Sequence, residues 1–453
     1  MNTDTPLWHR WTTKVAAELA GQPGSSVDKL FTKLADGMAI SPLYPDPSPG
    51  ESTLPNARTG APDLVSWPAT IAPGDLDLRP VEQDGASPIE ELALALDTVH
   101  RAPNTPVIHL GVSPDILIQI AKLRAIRRLL LRLSEVDGQP RTPVIHAHTS
   151  VRSFTRHDPW VNLLRNSASV FAALLGGADR ITPAPYDVAL GEPSDEALRL
   201  ADHTLRIALH ESALGLEADP TAGSHAIEHL TEELCRAAWS LAATPDAIAA
   251  RIAATNATRV TRVARRQPPE GGLIGTTLYP ELDEVLPVRP PHAHELGPRL
   301  ATPFERLREA SLASNARVFL ATFGPLARHT ARATWVAQLL AAGGIRPIDT
   351  TPHTALGHPT VEAVVEAFAA SQTKLAILCV ADPDWGDDAA TLIALARALT
   401  NRGANVLVAG RPTPALTAIA ATEPDLIAGY IHAGLPALDA LTDLHNRLVG
   451  AQP

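Results

Sequence analysis

Residues 105–150 read "TPVIHLGVSPDILIQIAKLRAIRRLLLRLSEVDGQPRTPVIHAHTS" and decide the fold of the first half of the chain. The run TPVIH begins at residue 105 and returns at residue 142, 37 residues later. Each copy opens a short apolar run typical of a buried strand, and the segment between the copies is long enough for an amphipathic helix. One strand–helix module suits this repeat distance, so the stretch predicts parallel strands joined by a helix.

The same alternation of strands and helices extends over residues 66–266. We predict further strands at 66–72, 76–82 and 178–186, and long helices at 89–101, 158–176, 195–216 and 224–266. The alternation indicates βα units around a parallel sheet. The count of about five strands is lower than the eight of a complete (β/α)₈ barrel.

The last part of the chain, residues 315–453, alternates even more regularly. Five strand–helix pairs begin with "ARVFLATFG" and end with "ALDALTDLHNRL", a pattern typical of a flavodoxin-like, doubly wound sheet. The preceding residues 267–314 are rich in Pro and Gly and are predicted to be a linker.

Residues 1–65 form an N-terminal arm in this interpretation. Trp8, Trp11, Val15 and Leu19 have the spacing of one apolar helix face, and a Pro-rich, irregular segment follows them. Such an arm packs either on its own domain or across a partner, and the sequence leaves both alternatives open.

Composition limits the classes of function. The formal net charge of −11 argues against nucleic acid as a partner, because a phosphate-binding surface needs a basic footprint. Two cysteines cannot build a disulfide framework, which points to a reducing compartment. No run approaches the roughly 20 apolar residues of a membrane span, and the first residues lack a signal-peptide core. We therefore expect a cytoplasmic protein that binds neither nucleic acid nor membrane.

Three stretches resemble the methylmalonyl-CoA mutase family. They are "ADGMAISPLY" at 35–44, "DPWVNLLRNS" at 158–167 and "DPTAGSHAIEHLT" at 219–231. The resemblance implies a shortened TIM-barrel-like domain over 66–266, lacking roughly three of the eight βα units of a full barrel. It also implies a cobalamin-binding-type domain over 315–453, and it is greatest to the non-catalytic small subunit of the heterodimeric bacterial enzyme.

The resemblance places one candidate cofactor ligand in the C-terminal domain. Family members that bind cobalamin carry Asp-x-His-x-x-Gly after the first strand, and these positions fall on Ala327, His329 and Arg332. The histidine of the motif binds cobalt from below. A metal-binding imidazole normally donates its second N–H to an acceptor such as a carboxylate, which Ala327 cannot supply. The family's later Ser-x-Leu falls on 379–381, and its Gly-Gly is reduced to Ala409 followed by glycine.

His329 therefore has two interpretations: a lower cobalt ligand, or a histidine at a loop surface without a specific role. The second is favoured by the two substitutions beside it.

The barrel positions implied by the family are also substituted. The segment 57–67 contains no tyrosine, so the catalytic phenol is absent. Val144 and Ala147 occupy the positions of an Arg and a Ser that contact the thioester, and Thr182 replaces a substrate-contacting histidine. A radical rearrangement needs a sealed barrel around the acyl-CoA. We therefore predict no catalytic residues in this chain.

Three other groups have alternative interpretations. His146 and His148 point to one side of a strand and could chelate a metal, but no third ligand stands at a diagnostic spacing, so we predict no metal site. His109 takes the place of His146 in the first copy of the repeat, which suggests a packing role. The carboxylates of 382–388 cap a helix or bind a divalent metal, and the arginines of 259–266 form salt bridges or bind phosphate.

The sequence thus predicts the small, non-catalytic subunit of a methylmalonyl-CoA mutase-type heterodimer. Its partner would be a large catalytic subunit that holds adenosylcobalamin and the acyl-CoA, with weak or no cobalamin binding by this chain. The alternative is an acyl-CoA isomerase that binds cobalamin itself through His329. A scaffold recruited to another pathway differs from the first interpretation only in its partner.

Overall fold

The structure is a computed structural model that describes residues 5–450 except 23, 46–53, 55–56, 59, 103, 105, 293–295, 350–358 and 382–388. The chain divides into two compact units. The first comprises Met1–Val260 and Pro287–Leu300, and the second comprises Thr261–Leu286 and Ala301–Pro453. Elements are numbered in chain order through the described residues.

The first unit contains seven described strands, of which two are a short hairpin near the N-terminus. The strands are β1 Thr32–Lys33, β2 Ala39–Ile40, β3 Asp63–Leu64, β4 Leu76–Asp77, β5 Val107–Val112, β6 Val144–Thr149 and β7 Arg180–Thr182. The helices are α1 Pro6–Leu19, α2 Arg79–Gln83, α3 Pro88–Arg101, α4 Ile116–Asp137, α5 Val161–Leu175, α6 Asp195–His210, α7 His225–Ala242 and α8 Asp246–Ala264. The last four residues of α8 belong to the second unit.

Strands β3 to β7 form one parallel sheet in the order β3-β7-β6-β5-β4. The two copies of the sequence repeat pair in register, with His109 opposite His146 and Gly111 opposite His148. The five strands agree with the predicted number, and the parallel α/β sheet is confirmed. Within the described residues β3 and β4 are the two edges of the sheet and do not pair with each other.

The two faces of this sheet differ in chemistry. Ile108, Leu110, Ile145 and Ala147 point to one face and belong to the hydrophobic core that α3, α4, α5 and α7 complete. Residues of alternate parity, among them the three histidines of β5 and β6, point to the other face because side chains alternate along a strand. The sheet thus has an apolar face covered by helices and a polar face.

The second unit is a five-stranded parallel sheet with helices on both faces. Its strands are β8 Arg317–Thr322, β9 Arg346–Ile348, β10 Leu375–Cys379, β11 Asn405–Ala409 and β12 Gly429–Ile431. Its helices are α9 Thr302–Ala313, α10 Leu326–Ala342, α11 Val361–Ser371, α12 Ala389–Asn401, α13 Pro414–Thr422 and α14 Ala437–Val449. The order β9-β8-β10-β11-β12 is the 2-1-3-4-5 order of flavodoxin-like sheets, as the sequence predicts.

Several boundaries differ from the sequence predictions. The strand expected at 66–72 lies earlier, at β3, and the helix expected at 224–266 is two helices separated by Ala243, Thr244 and Pro245. Proline at 245 lacks the N–H that a continuous helix needs, which accounts for the break. The run "ATWVAQLLAAGG" predicts that the helix after β8 begins at Ala333, but it begins at Leu326, seven residues earlier.

The N-terminal arm makes its own small aromatic cluster. The Trp8 ring lies 5.2 Å from that of Trp11 and 6.2 Å from that of Phe31, so the predicted helix face is partly covered. Leu7 beside this cluster is 49% exposed. Among the described helices, none combines the length and the apolar character that a bilayer crossing requires.

Candidate functional site

A cleft of about 550 Å³ opens at the carboxyl ends of strands in the first unit. Its wall includes Trp67 and Ala69 after β3, Arg79 after β4, and Gly111 of β5. Its other side includes His148 and the residues that follow β6. In α/β sheets this edge is where ligands bind, because loops from several strands converge there.

The floor of the cleft is charged and internally paired. Arg79 donates two hydrogen bonds of 2.8 Å to the two carboxylate oxygens of Asp77. Burial raises the pKa of Asp77, but the hydrogen bonds and charge of Arg79 outweigh it and leave the pKa below its usual value. Ser150 Oγ donates to the buried Glu82 carboxylate at 2.8–2.9 Å. These hydrogen-bonded pairs form a polar surface in the cleft, at the carboxyl ends of the strands.

Three histidines meet on the polar face of this sheet. His109, His146 and His148 are each 2–3% exposed, and one ligand atom of each ring lies within 4.8 Å of the corresponding atoms of the other two. The Nδ1 of His109 and the Nε2 of His148 are 2.9 Å apart. The rings of His146 and His148 have centroids 4.1 Å apart. We call these residues the histidine cluster.

Each of two rings in the histidine cluster has an outer hydrogen-bond partner. His109 Nε2 lies 3.2 Å from a carboxylate oxygen of Asp75, and His146 Nε2 lies 2.9 Å from the hydroxyl of Thr182. Because an ionised carboxylate only accepts, His109 Nε2 carries its proton and His109 Nδ1 accepts from His148. Among the described residues, His148 Nδ1 is buried without a hydrogen-bond partner.

The histidine cluster is electrically neutral around pH 7. Burial, with the charge of His109 and of nearby arginines adding to it, lowers the pKa of His146 to about 3. Burial and the neighbouring His146 lower the pKa of His148 still further. Burial also lowers the pKa of His109, although Asp75 opposes the shift. Three neutral imidazoles with unshared electron pairs are therefore packed together.

The sequence spacing indicates two of these histidines but not the third. Local spacing pairs His146 with His148, whereas His109 lies on another strand and 37 residues away from His146. The signal was present in the repeat, because equivalent positions of two parallel strands become register partners. The packing role that the repeat suggests for His109 does not include its contact with Asp75, which no sequence spacing indicates.

The substituted barrel positions lie on both faces of the sheet. Ala147 belongs to the helix-covered apolar core, on the opposite face from His146 and His148. Thr182 lies on the polar face and contacts His146. Val144 begins β6 and is half-buried. The position of Thr182 thus remains part of the polar surface, while the position of Ala147 contributes to packing.

The motif 219–231 connects helices through buried ion pairs. Arg124 of α4 is fully buried and donates to the carboxylates of Asp219 and Glu228 and, at 3.2 Å, to the hydroxyl of Thr221. Arg128, one turn later, donates to the second oxygen of Glu228 at 2.6 Å. A buried cation needs such partners, since desolvation of an unpaired charge is costly. The motif therefore joins α4 to α7 and to the loop before α7.

The motif 158–167 orders the loops that follow β6 and β7. The Asn162 side chain donates to the carbonyls of Thr155 and Tyr186 at 2.9 and 2.8 Å and accepts from the Thr155 N–H at 3.0 Å. Asn166 accepts from the Thr149 hydroxyl and from the N–H of residue 184. These buried amides satisfy backbone groups that leave the sheet. They also fix the shape of the cleft edge.

In the second unit, His329 lies in the first turns of α10 and is 2% exposed. The expectation of a histidine at a loop surface is therefore wrong, because the helix begins before it rather than after it. Ala327, two residues earlier, is exposed on the same helix. The early helix start follows from Gly324 and Pro325, which turn the chain after β8 and leave the next residues free to adopt helical angles.

Arg332 reaches across the edge of the second sheet. Its guanidinium donates to the carbonyl of Val380, directly after β10. Strands β8 and β10 are neighbours at the point where the strand order reverses, which is the ligand-binding position of doubly wound sheets. Cys379 at the end of β10 is buried, and burial raises the pKa of its thiol to about 12. This edge therefore carries an arginine, while the thiol at the end of β10 is buried and protonated.

The remaining candidates have structural partners. Arg259 donates to the carbonyls of Gly85 and Ala86 at 3.0 and 2.9 Å, and Arg262 pairs with Glu270 at 3.1 Å, which favours the salt-bridge interpretation of 259–266. Burial also raises the pKa of Cys235 to about 12. The carboxylates of 382–388 lie outside the described residues.

Comparison with known proteins identifies relatives for most of the chain. The family model for methylmalonyl-CoA mutase matches residues 107–265. A protein named methylmalonyl-CoA mutase small subunit from Streptomyces virginiae is 36% identical over 82% of this chain and 64% of its own length. The small subunit from Propionibacterium freudenreichii subsp. shermanii is 28% identical over 97% of this chain and 73% of its own length.

One further relative carries the name of the whole enzyme, and several relatives are much longer than this chain. A methylmalonyl-CoA mutase from Escherichia coli (strain K12) is 33% identical, but over 29% of this chain and 19% of its own length. This chain spans less than two thirds of the Streptomyces protein and 56% of a Mycobacterium tuberculosis protein named probable small subunit.

Proposed function

The chain belongs to the methylmalonyl-CoA mutase family, and from this premise we propose that it is a small, non-catalytic subunit of an adenosylcobalamin-dependent acyl-CoA isomerase. Its partner is a large catalytic subunit, which holds the cofactor and the acyl-CoA and which this chain stabilises. The N-terminal arm, the first unit and the second unit contribute to the contact. The names of the similar small subunits support such a partner.

The contact of Arg332 with Val380 carries the proposal. A cobalamin tail enters such a domain beside the lower ligand in the family, where a glycine leaves space. Here the Arg332 side chain lies at that edge and is hydrogen-bonded to the β10 end. Ala327 offers no carboxylate to orient the His329 ring. The described residues therefore fit cobalamin poorly, and no step of a reaction is assigned to it in this chain.

The shape of the first sheet supports the same proposal. Enclosing an acyl-CoA needs a continuous ring of strands, whereas the described strands β3 and β4 are unpaired edges. Part of the polar face is filled by the tightly packed histidine cluster. A chain with this interior is better suited to holding a partner than to sealing a radical reaction from water.

Helix α5 offers a surface for the large subunit. Trp160, Leu164 and Phe171 are 57%, 70% and 36% exposed, and their spacing of four and seven residues places them on one side of the helix. Apolar side chains aligned in this way favour a protein contact. Leu164→Glu should weaken the complex by at least about tenfold in Kd, because a carboxylate would be desolvated in the interface. Val449→Glu, at another exposed apolar position, is the matched control.

Co-expression with the large mutase subunit of the same genome tests the proposal. We expect one complex on gel filtration, with isomerase activity toward methylmalonyl-CoA that the large subunit alone loses faster on storage. Arg332→Gly and His329→Ala should leave that activity unchanged. A chain that elutes apart from the large subunit, or a complex whose activity depends on His329, would contradict the proposal.

A second candidate function rests on the burial of His329 near the end of β8. In this alternative the chain binds cobalamin itself and is an acyl-CoA isomerase. The visible spectrum of the isolated chain with adenosylcobalamin separates the two. Cobalamin that remains bound after gel filtration and loses its histidine-ligated spectrum in His329→Ala supports the alternative. Cobalamin that elutes free rejects it.

A further inference from the structure

We propose that the histidine cluster of His109, His146 and His148 is a binding site for a divalent transition-metal ion, with Zn²⁺ as the ion that fits its chemistry best. The site is independent of the proposed subunit role, because it lies wholly within the first unit. It needs no acyl-CoA, cobalamin or partner chain.

The donor atoms of the histidine cluster suit a transition metal. Three imidazole nitrogens from neighbouring strands converge within 4.8 Å, and no ligand comes from a flexible terminus. Imidazole suits Zn²⁺, Cu²⁺ and Ni²⁺, and three histidines with one open position are a recognised zinc arrangement. Bonds of about 2.0–2.1 Å to a tetrahedral Zn²⁺ place two ligand nitrogens about 3.3 Å apart. The 2.9 Å between His109 Nδ1 and His148 Nε2 needs a small outward movement to reach this value.

The groups behind two of the rings also suit metal ligands. A metal-bound histidine usually donates its other ring N–H to a carboxylate, carbonyl or water, which fixes the tautomer. Asp75 accepts from His109 Nε2 and so leaves Nδ1 with an unshared pair facing His148. The Thr182 hydroxyl, which can donate or accept, lies 2.9 Å from His146 Nε2 and holds that ring without fixing its tautomer. One ring therefore already has the tautomer of a ligand, and a second ring is held in place.

Without metal, one hydrogen bond joins rings of the histidine cluster. His148 donates its Nε2 proton to His109, and its own Nδ1 is buried without a partner among the described residues. An ion bound by His148 Nε2 would move that proton to Nδ1 and would release none. One N–H···N hydrogen bond would thus be exchanged for bonds from the ion to three rings.

One of the three ligands is part of the cleft wall. His148 lines the cleft described above, and the loop after β6 begins directly beyond it. We expect the fourth coordination position to face this cleft, where a water or a small anion would complete the tetrahedron.

Metal titration of the untagged full chain tests the site. After dialysis against a chelator, we expect one equivalent of Zn²⁺ by calorimetry and one equivalent of Co²⁺ with the visible absorption of a four- or five-coordinate ion. His109→Gln and His148→Gln should each weaken binding by at least about tenfold, and Asp75→Asn by about 10–100-fold through the orientation of His109. His210→Gln, at an exposed histidine of α6, is the matched control and should bind as the wild type does.

The thermal midpoint in chelator shows whether each variant is folded. If a histidine variant fails to fold, Asp75→Asn keeps the test intact, because it retains all three rings. Wild-type chain that takes up no more Zn²⁺ than a chain lacking all three histidines overturns the proposal. So does a Co²⁺ spectrum that is the same in wild type, His148→Gln and Asp75→Asn.

Discussion

The two parallel sheets of this protein have the same number of described strands but opposite ways of covering their faces. The first sheet has one apolar face under helices and one polar face with the histidine cluster. The second sheet is buried on both faces, with α11, α12 and α13 on one side and α10 on the other. The comparison shows how one strand–helix alternation supports two architectures.

The difference is visible along individual strands. On the first sheet the strand β6 reads VIHAHT, in which apolar and polar residues alternate. On the second sheet β10 reads LAILC and β11 reads NVLVA, which are nearly continuous apolar runs. A strand covered on both faces needs apolar residues of both parities, whereas a strand covered on one face needs only alternate ones. The side chains on the polar face of the first sheet are thus available for binding.

The largest effect on stability is expected for the buried ion pairs of Arg124 in the first unit. Arg124→Ala leaves the buried carboxylates of Asp219 and Glu228 without their cation, and we expect a loss of about 3–5 kcal/mol. Peptide-resolved hydrogen exchange in urea measures the loss in each unit. It should be confined to the first unit. Arg132→Ala, at an exposed ion pair, is the control. An equal loss of stability in the two variants would contradict a structural role of the buried ion pairs.

The second largest loss of stability is expected for a substitution in the core of the second sheet. Leu378 is fully buried between β8 and β11 in the helix-covered core, so Leu378→Ala removes packing on one face and leaves a cavity. We expect a loss of about 2–5 kcal/mol in the second unit, measured by the same exchange experiment. Leu326→Ala, 57% exposed, should change stability by less than about 0.5 kcal/mol. Similar losses for both would argue against burial of this face.

A smaller effect is expected on the polar face of the first sheet. Thr182→Val keeps the shape of the side chain but removes the hydroxyl 2.9 Å from His146 Nε2. A buried ring nitrogen then lacks its partner, at about 1–3 kcal/mol. Urea unfolding followed by circular dichroism gives the change. Thr258→Val on the exposed side of α8 should be neutral, and a neutral Thr182→Val would show that the polar face is hydrated rather than packed.

The smallest expected effect is the pH dependence of the unfolding free energy that Glu91 causes. Burial raises the pKa of Glu91 to about 7, although its contact with Lys122 at 3.1 Å opposes the shift. The folded chain therefore keeps a proton that the unfolded chain releases above its ordinary pKa of 4.5. Its contribution to stability is full below pH 4.5 and is lost as the pH rises through 7. The slope is at most about 1.4 kcal/mol per pH unit.

Glu91→Gln should remove the contribution of this carboxyl to the slope between pH 5 and pH 7, whatever it does to absolute stability, and Glu135→Gln at an exposed site should leave the slope unchanged. The neutral histidines of the first sheet act in an overlapping range with the opposite sign. The pKa of His146, lowered to about 3, makes stability fall as the pH drops from about 6.5 toward 3. The difference in slope between wild type and Glu91→Gln isolates the carboxyl, and a variant whose slope is no more positive than that of the wild type would contradict the assignment.

The flavodoxin-like order of the second sheet was accessible from sequence because its strands are apolar in both parities and its helices are regular. The start of α10 was not, since the residues before Ala333 carry little apolar periodicity and depend on the turn at Gly324. The burial of His329 follows from that early start. A boundary set by a turn is decided by local angles that hydrophobic spacing does not encode.

The sequence by itself determined the resemblance to the methylmalonyl-CoA mutase family through its motifs. It also determined the two parallel sheets, because periodicity and repeat spacing are local properties of the chain. Only the tertiary structure decided what the motifs hold and which side chains meet. Asp75, His109 and His148 are distant in sequence, and strand register alone brings them together. Likewise, Arg332 reaches Val380 only because β8 and β10 are neighbours. Contacts across strands depend on sheet order, which is a property of the whole fold.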